Sequence, residues 1–116
     1  MLNINPRQLD DLELTVWNSW LNQHVQTLAE LLPDIAGQYP VEAWRTMVEG
    51  LLRRAEGYEM FLEQEALAYC YGCLILGLGF ETRHVACRAA LAGQGAARAE
   101  SLWDAIEQVA STGDLA

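Results

Sequence analysis

The sequence predicts an all-α fold: a compact antiparallel helical bundle of about five helices that forms a single helical domain, residues 1–116. Along most of the chain, apolar residues recur at spacings of three and four, which is the period of an amphipathic helix. No segment alternates apolar and polar residues in the way that a half-buried strand does. Proline and glycine separate the periodic segments by short loops, and short loops favour antiparallel neighbours.

The first predicted helix has more apolar surface than a surface helix needs. Asn5 is placed as its cap and Pro6 as its first helical residue, where the missing N–H costs nothing. One burial stripe is enough for a surface helix, and this helix has a second stripe beside the first. It therefore lies centrally in the bundle, or part of it meets another chain. The first stripe is Leu14, Trp17, Leu21, Val25, Leu28 and Leu32, and the second is Leu9, Leu12, Val16 and Trp20.

Four further helices are predicted after a loop that runs from Pro33 to Pro40. The third helix of the chain is apolar nearly all round from Ala66 onward, so it needs covering on nearly every side. Gly57 is the expected end of the helix before it, and Gly77 with Gly79 makes the turn after it. The four helices are predicted at residues 41–56, 60–76, 81–91 and 96–110.

The charge balance excludes several classes of partner. Seven basic residues against 16 acidic ones give a net charge of −9, which repels phosphate backbones and anionic lipid headgroups. Nucleic acid and membrane surfaces are therefore not expected as partners. The N-terminus has no secretory signal pattern, and the apolar run at 66–80 is shorter than the roughly 20 residues of a membrane span. Three cysteines do not suit a disulfide framework, so we expect a cytoplasmic protein.

The sharpest local pattern is Cys70-x2-Cys73 followed by His84-x2-Cys87, a Cys3His set whose residue types suit structural zinc. Antiparallel packing of the third and fourth helices would put Cys73 opposite His84 and Cys70 opposite Cys87. Zinc pairs usually lie on loops, however, and a buried cysteine commonly packs as a small hydrophobic residue. The sequence therefore favours core cysteines and no cofactor, with a zinc site as the alternative.

No pattern of catalytic residues stands out, so a non-enzymatic protein is expected. His24 lies at the edge of the first stripe and is predicted to be a boundary residue. The carboxylate pairs 10/11, 56/59 and 63/65 fall at helix starts or on predicted solvated faces. Of the four tryptophans, Trp17 and Trp20 lie on different stripes, so one is expected in the core and the other at an interface.

Residues 55–81, AEGYEMFLEQEALAYCYGCLILGLGFE, resemble a signature of small all-helical proteins encoded in bacterial type VI secretion effector clusters. The opening NINPRQLDDLE is also similar, and the likeness covers about residues 1–32 and 53–81. The chain departs from the family at Glu59, where glycine is usual, and in the GLGF turn, where a proline and an acidic residue are common. The matching positions are Ala55, Tyr58, Glu63, Tyr69, Gly77 and Phe80.

The resemblance implies a non-enzymatic co-chaperone that works with an adaptor during loading of an effector onto the secretion spike. Its partner would be the adaptor, the effector or a spike-tip protein, and a homodimer stays open. A different class, an immunity protein that neutralises a cognate toxin by direct binding, suits the strong acidity. A zinc-stabilised module is the third reading. The candidate partner-binding face consists of Asp10, Asp11, Leu12, Glu13, Val16 and Trp20.

Overall fold

A computed structural model describes residues 6–60, 62–93 and 95–111, with side chains described from residue 14 onward. Within these residues the chain is helical and contains no β-strand, which confirms the all-α prediction. The same residues form seven helices, not about five. They are α1 (Pro6–Leu31), α2 (Pro33–Ala36), α3 (Val41–Gly57), α4 (Glu63–Leu76), α5 (Phe80–Arg83), α6 (Val85–Ala90) and α7 (Gly95–Ser111).

Two short segments account for the larger number of helices. Pro33 starts the single turn α2 inside the predicted loop, because proline is well suited to the first turn of a helix. The predicted helix at 81–91 is interrupted at His84, whose extended backbone (φ −111°, ψ 121°) separates α5 from α6. α1 begins at Pro6 as predicted, whereas the predicted cap, Asn5, lies outside the described residues.

The start of α4 also differs from the prediction, which placed it at Met60. Glu59 has a left-handed backbone (φ 59°), and Leu62 before the helix is extended (φ −87°, ψ 140°), so the helix begins at Glu63. The carbonyl oxygen of Ala55 accepts main-chain hydrogen bonds from Tyr58 (3.0 Å) and Met60 (3.1 Å). This tight turn ends α3 and replaces the first helical turn that the sequence predicted.

The chain divides into two compact units, Met1–Glu49 and Gly50–Ala116, with the boundary inside α3. That the whole chain acts as a single domain stays a prediction. In the first unit, Leu21 and Leu28 of α1 are buried, as is Trp44 of α3. The indole N–H of Trp44 donates to the carbonyl oxygen of Val25 (3.1 Å), which satisfies the one polar group of this side chain.

In the second unit α4 packs against α7, and α6 also packs against α7. The packing is close at Gly72, where an added Cβ would lie 2.4 Å from Cζ of Phe80 and 2.8 Å from Cδ1 of Ile106. The prediction that α4 is covered on nearly every side from Ala66 onward is confirmed as far as Cys73, whereas Ile75 in the last turn is exposed. The buried residues of α4 are Glu65, Ala66, Ala68, Tyr69, Cys70, Gly72 and Cys73.

The apolar stripes predicted on α1 are only partly buried. Leu14 was predicted to face the core, but 58% of its surface is exposed. Val16, on the second stripe, is 63% exposed, and the side chains of Leu9 and Leu12 lie outside the described residues. In the part of the chain that the structure describes, no helix combines the length and apolarity needed to cross a membrane.

Candidate functional site

The predicted partner-binding face on α1 is described at two of its six residues. Val16 is exposed, and Trp20 is half-buried with its ring 4.5 Å from that of His24 at an interplanar angle of 53°. The side chains of the other four predicted residues lie outside the described residues: Asp10, Asp11, Leu12 and Glu13. Of the two described side chains of this face, Val16 is therefore the more open to another molecule.

The prediction that one of Trp17 and Trp20 lies in the core is wrong, because both are half-buried. The indole N–H of Trp17 donates to Oε2 of Glu49 at 3.4 Å. Trp103 is half-buried too, with its ring 4.8 Å from that of Tyr71. Of the four tryptophans, Trp44 is the one that is buried. The helical period of α1 predicted different environments for Trp17 and Trp20, whereas both side chains are partly exposed.

His24 is buried and does not lie at the boundary of the apolar stripe as predicted. Its Nδ1 is 2.8 Å from the carbonyl oxygen of Trp20. Because a carbonyl oxygen only accepts, Nδ1 donates this hydrogen bond. Nε2 is buried and has no hydrogen-bond partner among the described residues. This imidazole is therefore fixed by the preceding turn of α1, inside the first unit and away from solvent.

The aromatic residues that carry the family resemblance pack together in the second unit. The ring of Tyr69 lies 5.5 Å from that of Tyr58 and 5.6 Å from that of Phe80, both in tilted arrangements. Such pairs add about 0.5–1.5 kcal/mol beyond the burial of their area. Three positions separated along the chain therefore form one continuous aromatic stack, with Tyr69 and Phe80 fully buried.

A buried carboxylate, Glu81, lies beside this stack. The hydroxyl groups of Tyr58 and Tyr69 both donate to its Oε2, each at 2.8 Å, and Nη2 of Arg54 is 3.6 Å from the same oxygen. Glu81 is 1% exposed, and its other oxygen, Oε1, has no partner among the described residues. No sequence pattern marks Glu81 as buried, because a charged residue at the start of a predicted helix fits a solvated position equally well.

The groups around Glu81 are held in their hydrogen-bonding protonation states. Burial, together with the hydrogen bond to Glu81, raises the pKa of Tyr58, and burial followed by the influence of Cys73 raises the pKa of Tyr69. The hydrogen bond from Nε of Arg54 to the Tyr69 hydroxyl (3.2 Å) raises the pKa of Arg54. The tyrosines therefore remain donors and the guanidinium remains charged at neutral pH.

A second buried ion pair holds the turn that precedes α4. Nε of Arg98, on α7, donates to Oε2 of Glu65, and both side chains are buried. The same guanidinium donates from Nη1 to the carbonyl oxygen of Tyr58 (3.2 Å) and from Nη2 to that of Glu59 (3.3 Å). Glu63 is exposed as predicted, whereas the prediction of a solvated Glu65 is wrong, because Arg98 provides a buried partner for it.

The Cys3His set does not form a metal-binding cluster. Among the described residues, which include all four members of the set, no group of three or more His, Cys, Asp or Glu side chains is placed to hold a metal ion. All three cysteines are buried free thiols. Burial raises the pKa of Cys73 to about 12, and it also raises the pKa values of Cys70 and Cys87. The thiols are therefore protonated at neutral pH.

The other positions of the resemblance have structural surroundings. Ala55 is buried and accepts two main-chain hydrogen bonds in the turn after α3. Gly77 follows α4 with φ 94°, a conformation that favours glycine, and its N–H donates to the carbonyl oxygen of Cys73 at 3.0 Å. Together with the aromatic stack, these contacts make the motif a set of packing and turn-forming residues.

No family model, curated protein or solved structure matches this chain. The family suggested by the motif, and the function that it implies, are therefore proposals.

Proposed function

We propose that this protein is a non-enzymatic accessory of a bacterial type VI secretion system, a cytoplasmic co-chaperone that binds an adaptor or effector and assists effector loading. The observation that carries the proposal is the exposure of Val16 on the predicted partner-binding face of α1. Leu14 and Val16 are 58% and 63% exposed, on a helix whose later residues Leu21 and Leu28 are buried. Val16 belongs to the predicted partner-binding face, and Leu14 belongs to the neighbouring stripe, so apolar side chains on both stripes at this end of α1 are open to contact by another protein.

The backbone at Glu59 supports the family resemblance. The family usually has glycine at this position, and Glu59 has φ 59°, the left-handed region that glycine occupies without a steric penalty. The family pattern has glycine at this position, and the left-handed backbone of this chain is one that favours glycine. The backbone thus supports the resemblance independently of the sequence motif. The aromatic stack of Tyr58, Tyr69 and Phe80 likewise gives the motif residues a shared role in holding the fold.

The test is co-purification with the adaptor and effector encoded beside this chain. Val16→Asp places a charge on the proposed face and should abolish capture of the partner, because an unpaired carboxylate is costly to bury in an interface. Val16 suits this test better than Trp20, because Trp20 also packs on His24. The matched control is Val41→Asp, the same substitution at a valine that is 81% exposed in the same unit.

The result is read together with a thermal melt followed by circular dichroism. Both variants should melt as the wild type does, and only Val16→Asp should lose the partner. Equal capture by Val16→Asp and Val41→Asp would exclude α1 as the docking face. Failure of the wild type to co-purify with either protein would remove the co-chaperone proposal itself.

The net charge of −9 favours an immunity protein as the second candidate, because an acidic inhibitor associates rapidly with a basic toxin. A growth assay separates the two functions. The neighbouring toxin is expressed with and without this chain in the absence of the adaptor. Rescue of growth by this chain alone would favour the immunity function, and continued toxicity would favour the co-chaperone.

A further inference from the structure

Exposed apolar residues also occur in the second unit, between the last turn of α4 and the first residue of α6. Leu78, in the turn after α4, is 59% exposed, and Val85, the first residue of α6, is 76% exposed. Ile75 in the last turn of α4 is also exposed. With two flanking arginines, Arg83 and Arg88, these residues are called the turn surface below.

Both arginines of the turn surface are fixed by main-chain carbonyl oxygens. Arg83 donates from Nη1 to the carbonyl oxygen of Leu78 and from Nη2 to that of Leu76, each at 2.7 Å. Arg88 donates from Nη2 to the carbonyl oxygen of Thr82 at 2.6 Å. Arg88 follows Val85 by three residues on α6, so their side chains lie on the same side of the helix. The positive charges therefore border the exposed apolar residues.

The turn surface is positively charged in an acidic chain. Residues 75–90 contain three charged side chains, and the single acid among them, Glu81, is buried against Tyr58 and Tyr69. The exposed charges of this segment are thus the two arginines, whereas the whole chain has a net charge of −9. Within the part of the chain that the structure describes, no ion pair includes Arg83 or Arg88.

The two guanidinium groups retain the capacity to bind carboxylates. A guanidinium has five N–H donors, of which Arg83 uses two and Arg88 uses one in the contacts described. The remaining donors can form the paired hydrogen bonds that a guanidinium makes with a carboxylate. Because the carbonyl contacts already restrict the side chains, binding costs less conformational entropy than it would for two mobile arginines.

We propose that the turn surface binds an acidic protein segment, in which an apolar side chain covers Leu78 and Val85 and flanking carboxylates bind Arg83 and Arg88. A nucleic acid is a poorer occupant, because the centre of the surface is aliphatic and a phosphate backbone has no apolar side chain to cover it. The turn surface shares no residue with the predicted partner-binding face on α1. Its test therefore does not depend on whether the proposed function is correct.

The experiment is a selection from a phage-displayed library of random peptides on the full chain. Peptides that bind should be enriched in Asp and Glu beside Leu, Ile, Val or Phe. One selected peptide is then synthesised with a fluorophore and titrated by anisotropy, beside a copy in which every acid is replaced by its amide. The amide copy should bind weakly or not at all, because it has no carboxylates for the two arginines. Added salt should weaken the binding of the acidic peptide, because salt screens exposed charge pairs.

Variants locate the site. Arg88→Gln should raise the dissociation constant of the acidic peptide about tenfold, because a charge-assisted contact is lost. Val85→Asp should raise the dissociation constant at least as much, because apolar contact is lost and the new carboxylate repels the carboxylates of the peptide. The matched controls are Arg53→Gln and Val41→Asp, which change an exposed arginine and an exposed valine elsewhere and should leave the dissociation constant unchanged. Arg83 is left intact because it binds the carbonyl at the end of α4.

Three outcomes would overturn the proposal. The first is selection of no peptides, or of peptides that lack acids. The second is binding that is equally strong in Arg88→Gln and Arg53→Gln. The third is self-association of the wild type, seen by analytical ultracentrifugation, that Val85→Asp removes and that excludes the peptide, since the occupant would then be a second copy of this chain.

Discussion

Nη1 of Arg98 donates a 3.2 Å hydrogen bond to the main-chain carbonyl oxygen of Tyr58, 40 residues earlier in the chain. The same tyrosine donates from its hydroxyl to Glu81. Tyr58 therefore connects the two buried carboxylates of the second unit: Glu81 through its side chain and Glu65 through Arg98. Four predictions about stability follow from this network and from the packing around it.

Arg98→Met should destabilise the fold by about 3–5 kcal/mol, because removing one partner leaves the buried carboxylate of Glu65 uncompensated. The turn at Tyr58 and Glu59 also loses two hydrogen bonds to its carbonyl oxygens. Urea denaturation followed by circular dichroism measures the change. Arg53→Met is the control, because Arg53 pairs with Glu56 on the surface and should change stability by about 0.5 kcal/mol or less. Similar losses in the two variants would contradict the structural role of Arg98.

Glu59→Gly should stabilise the protein by about 0.5–1 kcal/mol, because glycine adopts the left-handed backbone (φ 59°) without the penalty of a side chain. The carbonyl of residue 59 remains available to Arg98 in the variant. Glu100→Gly, the same substitution at an exposed position within α7, should instead cost about 1 kcal/mol, since glycine is a poor helix former. Thermal melts of the two variants should thus shift in opposite directions, and a shared direction would count against the assigned backbone.

Gly72→Ala should destabilise the fold by about 1–3 kcal/mol, because the new methyl group would overlap Phe80 and Ile106. Gly50→Ala is the matched substitution in a helix with open space around it, where alanine should add about 0.5–1 kcal/mol through its better helix propensity. Guanidinium denaturation of both variants tests the close approach at Gly72. A stable Gly72→Ala protein would mean that the side chains of α4, α5 and α7 are farther apart than described.

Stability should decline in alkaline solution, in part because of Cys73. Burial raises the pKa of this thiol to about 12, whereas a thiol in the unfolded chain titrates near its ordinary value of about 8.5. The folded state thus holds the proton more tightly. The contribution of this thiol to the free energy of unfolding is complete below about pH 8.5 and is lost as the pH rises towards 12. Urea denaturation at several pH values should show a shallower decline for Cys73→Ala than for the wild type, and identical slopes would refute this.

The helices that begin or end at a proline or glycine could be predicted from the sequence. Pro6, Pro40 and Gly57 mark ends of α1 and α3, and the apolar run from Ala66 predicted the burial of α4. The break at His84 was missed, because the alanine-rich segment around it has good helix propensity and the extended backbone there depends on tertiary context.

The polar network was not predictable in the same way. Glu65 and Arg98 are 33 residues apart and meet through the packing of α4 against α7, so helical periodicity carries no sign of their contact. Charged residues are seldom buried without a partner, which made solvated positions the natural expectation. Periodicity also predicted that Leu14 is buried, although it is exposed. An apolar stripe shows which residues lie on the same face of a helix, but not whether another helix packs against that face.

The burial of Cys70, Cys73 and Cys87 has a practical consequence for studies of partner binding. Accessible thiolates attack maleimide reagents, whereas shielded, protonated thiols react with them slowly. A cysteine introduced at exposed Val16 would therefore be labelled selectively in the otherwise native chain. A dye attached there would monitor the α1 face directly while the interior sulfur atoms remain unmodified.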